Sequence, residues 1–217
     1  MNDTQPKMTA TVPEDRLKLY ASLLGRARVL EKAKKSKDDF LSFVRETWPD
    51  FIQGRHHKIM ADKFTALAEG KLKRLIVNMP PRHTKSEFAS YMLPAWMMGR
   101  NPNLKIMQTT HTAELAFRFG RKVRNLMNTE DYTSIFQNVK LRADSQAAGR
   151  WETDSGGEYF AAGVGGAVTG RGADLLIIDD PPAPPARRSH CNCNDALGRK
   201  RFNGEVDTPA GSRRHGR

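Results

Sequence analysis

The 217-residue sequence predicts an α/β fold with a mainly parallel, buried sheet flanked by helices, preceded by N-terminal helices and followed by a disordered tail. Two observations carry this prediction. Short apolar runs at residues 75–79, 104–109 and 175–178, the first and last rich in β-branched or branched aliphatic side chains, read as strands buried on both faces. Between them lie stretches whose apolar residues recur three and four apart, the pattern of helices packed on such a sheet.

The elements follow in order. Residues 1–13 are polar and predict a flexible N-terminus. Glu14 and Asp15 suit a helix start. Leu17, Tyr20, Leu23, Leu24, Ala27 and Leu30 then form an apolar stripe. Ser36 is placed to cap a second helix, with Phe40, Leu41, Phe43, Val44 and Trp48 as its apolar face and Pro49 as its stop, so that 14–50 form an N-terminal helical region. A third helix is predicted over about 56–69, with Ile59, Met60, Phe64, Leu67 and Ala68 on one face and Gly70 at C′. Strand 75–79 stops at Pro80 and Pro81. A helix then runs from Thr84 or Lys85 to about Met98, and Pro94 is expected to kink or shorten it. After the strand at 104–109, Thr112 caps a helix to about Met127. Residues 159–162 and 175–178 supply two more strands, so 51–180 form one domain. Residues 181–217 are rich in proline and basic residues, with Leu197, Phe202 and Val206 as isolated large apolar side chains. Such a segment cannot bury enough surface to offset its ordering entropy, which predicts a disordered basic tail.

Composition narrows the function. Lys+Arg total 36 against 24 Asp+Glu, a formal net charge of +12, which favours a polyanionic partner such as nucleic acid. No run approaches the roughly 20 apolar residues of a membrane span. Met1 to Ala10 contain no apolar signal core, so a cytoplasmic protein is expected. Cys191 and Cys193 stand too close together to staple a fold, and with His190 they make only an incidental metal grip. The basic stretches 26–37 and 118–124 are either DNA-tracking patches or solvated helix faces.

The chemistry concentrates at two places. At Met79-Pro80-Pro81-Arg82-His83-Thr84-Lys85-Ser86 a strand ends, a tight loop follows, and Lys-Ser opens a helix. That layout suits a phosphate-binding loop, whose backbone N–H groups and helix N-terminus face an anion. Lys85 would carry charge to the β- and γ-phosphates of ATP, and Ser86 would offer its hydroxyl to Mg2+. Met79 and Thr84 stand where the usual motif has glycine, and a Pro-rich turn before an ordinary helix is the competing reading. The second place is Asp179-Asp180, at the end of strand 175–178. In a parallel sheet that end faces the same crevice as the loop. Asp179 could hold Mg2+ and Asp180 could orient a water and accept its proton; the alternative is a polar turn. Trp151, Tyr159 and Phe160 read as packing residues, and His56, His57, His83 and His111 lack metal-ligand spacing.

With both motifs in this order, the sequence resembles the large subunit of tailed-phage terminases. The resemblance rests on RLIVNMPPRHTKSEFAS (74–90), IMQTTHTAELAFRFGRKVRNLM (106–127) and WETDSGGEYFAAGVGGAVTGRGADLLIIDDP (151–181), with His56 and His57 in keeping, over roughly 40–181. It implies a P-loop NTPase fold of the additional-strand type. ATP contacts are implied at Pro81, Arg82, His83, Thr84, Lys85 and Ser86, and Mg2+ at Ser86 and Asp179. Catalytic roles are implied for Arg82, at the γ-phosphate, and for Asp180, where the family usually carries the longer Glu. Arg171, in the glycine-rich stretch 163–172, is the candidate arginine finger for a neighbouring subunit; a solvated loop arginine is its alternative. The resemblance further implies Mg2+-dependent ATP hydrolysis coupled to packaging double-stranded DNA, in the cytoplasm of a bacterial host. The implied partners are the small terminase subunit, the portal protein and like subunits in a ring. The family's coupling strand and nuclease domain have no counterpart in 181–217, where Asp195, Glu205 and Asp207 are the acids. The expectation is therefore an incomplete ATPase domain without nuclease activity, its tail read from a shifted frame. A non-catalytic basic DNA-binding remnant and a helicase-like translocase fragment are the alternatives.

Overall fold

The computed structural model describes residues 13–166, 168 and 170–181; the tail beyond Pro181 and residues 1–12 lie outside the described residues. Three helices come first: α1 (Glu14–Asp38), α2 (Phe40–Thr47) and α3 (Arg55–Ala68). The break between α1 and α2 is made by Asp39, whose carboxylate accepts the Ser42 N–H at 2.7 Å. Ser36, the expected cap, is instead buried in the last turn of α1, where its carbonyl accepts from Trp96 Nε1 at 3.0 Å. The stripe expected to bury α1 does not: Leu17, Tyr20, Leu23, Leu24 and Leu30 are each about half exposed or more. The helix meets the body only near its C-terminal end, so its leucines find no opposing surface among the described residues. In α2 the pattern works as expected, and Phe40, Phe43 and Val44 are wholly buried. Gly70 takes φ 73° just past α3, the left-handed C′ conformation that a Cβ disfavours.

The sheet has five strands in the order β2-β3-β4-β1-β5: β1 (Lys105–Thr110), β2 (Leu141–Ala147), β3 (Arg150–Thr153), β4 (Glu158–Gly163) and β5 (Leu175–Asp179). The parallel part is β4-β1-β5, and its register aligns Thr110 with both Gly163 and Asp179 at one carboxyl edge. The sheet is mainly parallel, as expected: β2, β4, β1 and β5 run the same way, and β3, antiparallel to both β2 and β4, is the reversed strand of a meander at the other end. Neither β2 nor β3 was predicted, because β2 is polar and β3 spans four residues. β3 is nonetheless anchored by Trp151, which stacks on Tyr159 at 4.8 Å between ring centroids, both rings fully buried. Trp151 Nε1 also donates to the Gly120 carbonyl. Gly120 is there of necessity, since a Cβ would lie 2.3 Å from the Ala148 carbonyl oxygen.

The expected strand at 75–79 is not part of the sheet. Its residues alternate between half-buried and exposed, and Ile76 is 86% exposed. Leu75, Ile76 and Val77 instead form one wall of a cavity of about 490 Å³ whose opposite wall is β5, from Leu175 to Asp179. β5 pairs only with β1 among the described residues. A run of this kind becomes a strand only when a neighbouring ladder takes up its backbone groups, and the cavity lies where that ladder would be.

After residues 81–84, a π-helical turn (Glu87–Met92) leads directly into α4 (Leu93–Arg100). Pro94 does not end the helix. A proline cannot bond back to residue 90 and would clash with its carbonyl; the wider turn, in which Leu93 N–H reaches the Phe88 carbonyl, takes up that conflict. Helix α5 (Ala113–Met127) is capped by Thr112, as expected, and buries Ala116, Phe119, Val123 and Leu126. The short α6 (Glu130–Ile135), not foreseen, is capped by Thr129. Its Tyr132 hydroxyl donates to the Ala95 carbonyl and ties it to α4.

Candidate functional site

The loop at 81–84 and the end of β5 meet. Ser86 Oγ donates to Asp179 Oδ1 at 3.1 Å, although 93 residues separate them. Ser90 Oγ, one turn further along, donates to Asp179 Oδ2 at 2.9 Å. Lys85 Nζ stands 3.8 Å from Asp179 Oδ1 and 3.3 Å from Asp180 Oδ1. Asp179 is 5% exposed, so a buried carboxylate is satisfied by two hydroxyls and faced by one ammonium. The Asp180 side chain projects into solvent, 75% exposed, and shares Lys85 with it.

Local strain marks the same spot. The non-glycine residues with left-handed φ among those described are Arg82 (64°), Thr84 (58°) and Asp180 (51°). Each such conformation costs about 1–3 kcal/mol and persists only where surrounding contacts impose it. A β-branched residue such as Thr84 is the most unusual of the three. The loop has its own braces. His83 Nδ1 donates to the Pro81 carbonyl at 2.9 Å. Thr84 Oγ1 donates to the His83 carbonyl at 2.7 Å and is met by His57 Nε2 at 2.6 Å. Arg82 is exposed and forms no ion pair among the described residues. The helix behind the loop is held by Glu87, whose carboxylate takes Lys122 Nζ of α5 at 2.7 and 2.8 Å.

Lys85, Ser86, Asp179 and Asp180 are thus brought together, with Pro81, Arg82, His83 and Thr84 forming the loop beside them. Arg171 is not among them. It stacks over Phe160 at 4.2 Å and pairs with Glu158 at 2.8 Å, on the loop that joins β4 to β5. Two residues of the site were given no role from the sequence. Ser90 carried a usable signal, lying four positions after Ser86 and so on the same helical face. His57 was read only as part of a segment in keeping with the resemblance, because it reaches the loop from a separate helix. Burial and the neighbouring His56 hold its pKa down at about 4, so it is neutral at ordinary pH.

The donor set suits a hard divalent cation: the Ser86 hydroxyl and the Asp179 carboxylate lie at hydrogen-bond distance from one another. No group of three or more His, Cys, Asp or Glu able to hold a metal occurs among the described residues. A cation here would have to complete its shell with water or with oxygens of a bound anion, which is how Mg2+ is usually held.

Fold and site together define an α/β protein with a loop–helix junction that directs a cation and a hydroxyl at carboxylates on a strand terminus. One curated protein similar to this chain is the terminase large subunit of Enterobacteria phage T3, 25% identical over 151 residues, which are 68% of this chain and 26% of that protein. The chain therefore spans about a quarter of the length of that relative. No family model matches the sequence, and no solved structure matches it. No helix among the described residues is long and apolar enough to cross a membrane.

Proposed function

We propose that the junction binds the phosphates of Mg2+–ATP, and that the chain carries the ATPase region of a terminase large subunit, the motor that drives double-stranded DNA into a phage procapsid. The observation that carries the proposal is the convergence of Lys85, Ser86 and Asp179 across 93 residues of sequence. The likeness to the phage T3 terminase points the same way.

In this reading residues 81–86 cradle the phosphates with the N–H groups of the loop and of the first helical turn. Lys85 leaves Asp180 to meet the β- and γ-phosphates, and Arg82, exposed and without an ion pair among the described residues, is the further cation within the loop. Ser86 and Asp179 would hold Mg2+, which supplies neutralisation of the phosphate charge. Asp180, once released by Lys85, is the carboxylate left to orient a water and take its proton. Arg171 serves a neighbouring subunit's nucleotide only after giving up Glu158 and Phe160. Double-stranded DNA, the small terminase subunit, the portal protein and a ring of like subunits are the partners proposed.

Asp180 favours binding over turnover as the more robust property, because its side chain is exposed and committed to Lys85 rather than held by a scaffold. Equilibrium binding of a fluorescent ATP analogue in the presence of Mg2+ tests the reading. Lys85→Ala should weaken binding at least about tenfold, in line with loss of a charge-assisted contact. Equal affinity of the two chains overturns it.

A further inference from the structure

We infer that His57 is a positioning residue for the phosphate loop, holding Thr84 in the left-handed conformation on which the loop's anion-receiving shape depends. The inference deepens the nucleotide-binding reading and rests on it.

Thr84 needs an external restraint. With φ 58° it occupies a region that a β-branched side chain leaves unless it is held there. Its own bond to the His83 carbonyl at 2.7 Å is local and would follow the loop wherever it went. The bond from His57 is different, because it comes from the first turn of α3 and spans 27 residues.

His57 is itself rigidly set. The Gly54 N–H at the start of α3 donates to Nδ1 at 2.8 Å. Nδ1 is therefore the acceptor nitrogen, and the neutral ring carries its proton on Nε2. That N–H points at Thr84 Oγ1, 2.6 Å away, and the Thr84 hydroxyl in turn donates a hydrogen bond to the His83 carbonyl. The chain of donors runs one way only: Gly54 N–H to His57, His57 to Thr84, Thr84 to the backbone of the loop. The ring is 4% exposed. It stacks on Phe88 at 4.7 Å and 26°, and packs edge-on against Phe51 at 4.8 Å. Phe88 lies on the same helix as Lys85 and Ser86, so His57 is referenced to the helix that presents those groups while it fixes the residue immediately before them. With glycine at position 84 the conformation would need no support; with threonine there, His57 supplies it.

Three variants separate this role from simple core packing. In His57→Asn, Oδ1 can stand in for Nδ1 and keep the Gly54 N–H, but the side chain is too short to reach Thr84. In His57→Gln, an amide N–H can stand in for Nε2. Thr84→Gly removes both the strain and the hydroxyl. Binding of a fluorescent ATP analogue with Mg2+ is measured for each chain. His57→Asn should weaken binding about tenfold while His57→Gln recovers most of the loss, the size expected for one buried hydrogen bond. In the Thr84→Gly background, whatever its own affinity, His57→Asn should cost no more than about twofold, as expected when the interacting partner is already gone. Unchanged binding by His57→Asn, or an equal loss in both backgrounds, overturns the inference. If the parent chain binds no nucleotide, the nucleotide reading fails. The urea-unfolding cycle over the parent, His57→Asn, Thr84→Gly and the double variant then decides the His57–Thr84 link: coupling between the two substitutions upholds it, and additivity overturns it.

Discussion

Replacing Ser90 by alanine removes one hydroxyl from a site with no solvent to replace it. Ser90 is fully buried, and its Oγ donates to Asp179 Oδ2 at 2.9 Å. Alanine nearly preserves the volume, so the cost is that of the hydrogen bond and not of a cavity. A hydrogen bond to a charged group contributes about 1.5–3 kcal/mol, and losing a donor leaves the carboxylate partly unsatisfied. With a urea dependence of about 2 kcal/mol per molar for a chain of this size, the unfolding midpoint should fall by about 1 M. The released carboxylate also loses its fixed orientation beside Ser86, so affinity for Mg2+–nucleotide should drop by roughly tenfold or more. In an Asp179→Asn background the same substitution should cost less than half as much, because the charge that strengthens the bond is gone. The measurement is equilibrium unfolding followed by circular dichroism. A midpoint unchanged by Ser90→Ala, or the same shift in both backgrounds, would show that the buried Asp179 does not depend on this hydroxyl.

Two further outcomes follow from other parts of the fold. His57 titrates near 4 in the folded chain against an ordinary 6.5, so the unfolded chain binds more protons between these values. The stability that its neutral form confers is fully present above pH 6.5 and is lost as pH falls towards 4. Urea midpoints taken from pH 7 to pH 4 should therefore decline, and the decline should be shallower in His57→Gln; parallel profiles would contradict the assignment. In α1, Leu17→Gln combined with Leu24→Gln should leave the midpoint nearly unchanged, within about 0.5 kcal/mol for each exposed side chain. A large loss would mean that this stripe is covered.

The sequence was most readable where local pattern and tertiary environment agree. Thr112 and the apolar spacing of α5 specify a capped helix that meets the sheet, and β5 forms as predicted because it pairs with β1 and buries Leu175 and Ile177 on one face, although Ile178 on the other is 48% exposed. The stripe of α1 obeys the same spacing yet packs against nothing among the described residues, since periodicity states which face is apolar and not whether a partner exists. Residues 75–79 failed for a related reason: β-branched composition favours a strand, but a strand forms only beside another ladder, and the neighbouring space is a cavity. β2 and β3 were illegible because their anchor, Trp151 on Tyr159, is a contact between segments. At the site, Lys85, Ser86, Asp179 and Asp180 were legible as residue types at element ends. Ser90 was legible only in retrospect from its spacing to Ser86. The left-handed turns at Arg82 and Thr84, and the reach of His57 into the loop, arise from packing that a linear pattern does not encode.

The central claim is that the loop and the end of β5 share a single metal–triphosphate site, and paramagnetic broadening tests it most directly. With Mn2+ in place of Mg2+ and ATP present, the backbone amide signals of Lys85, Ser86 and Asp179 should broaden first and together, while those of α1 stay sharp. If the signals of 85–86 and of 179 respond independently, or neither responds when ATP and Mn2+ are added, the two motifs do not serve one site.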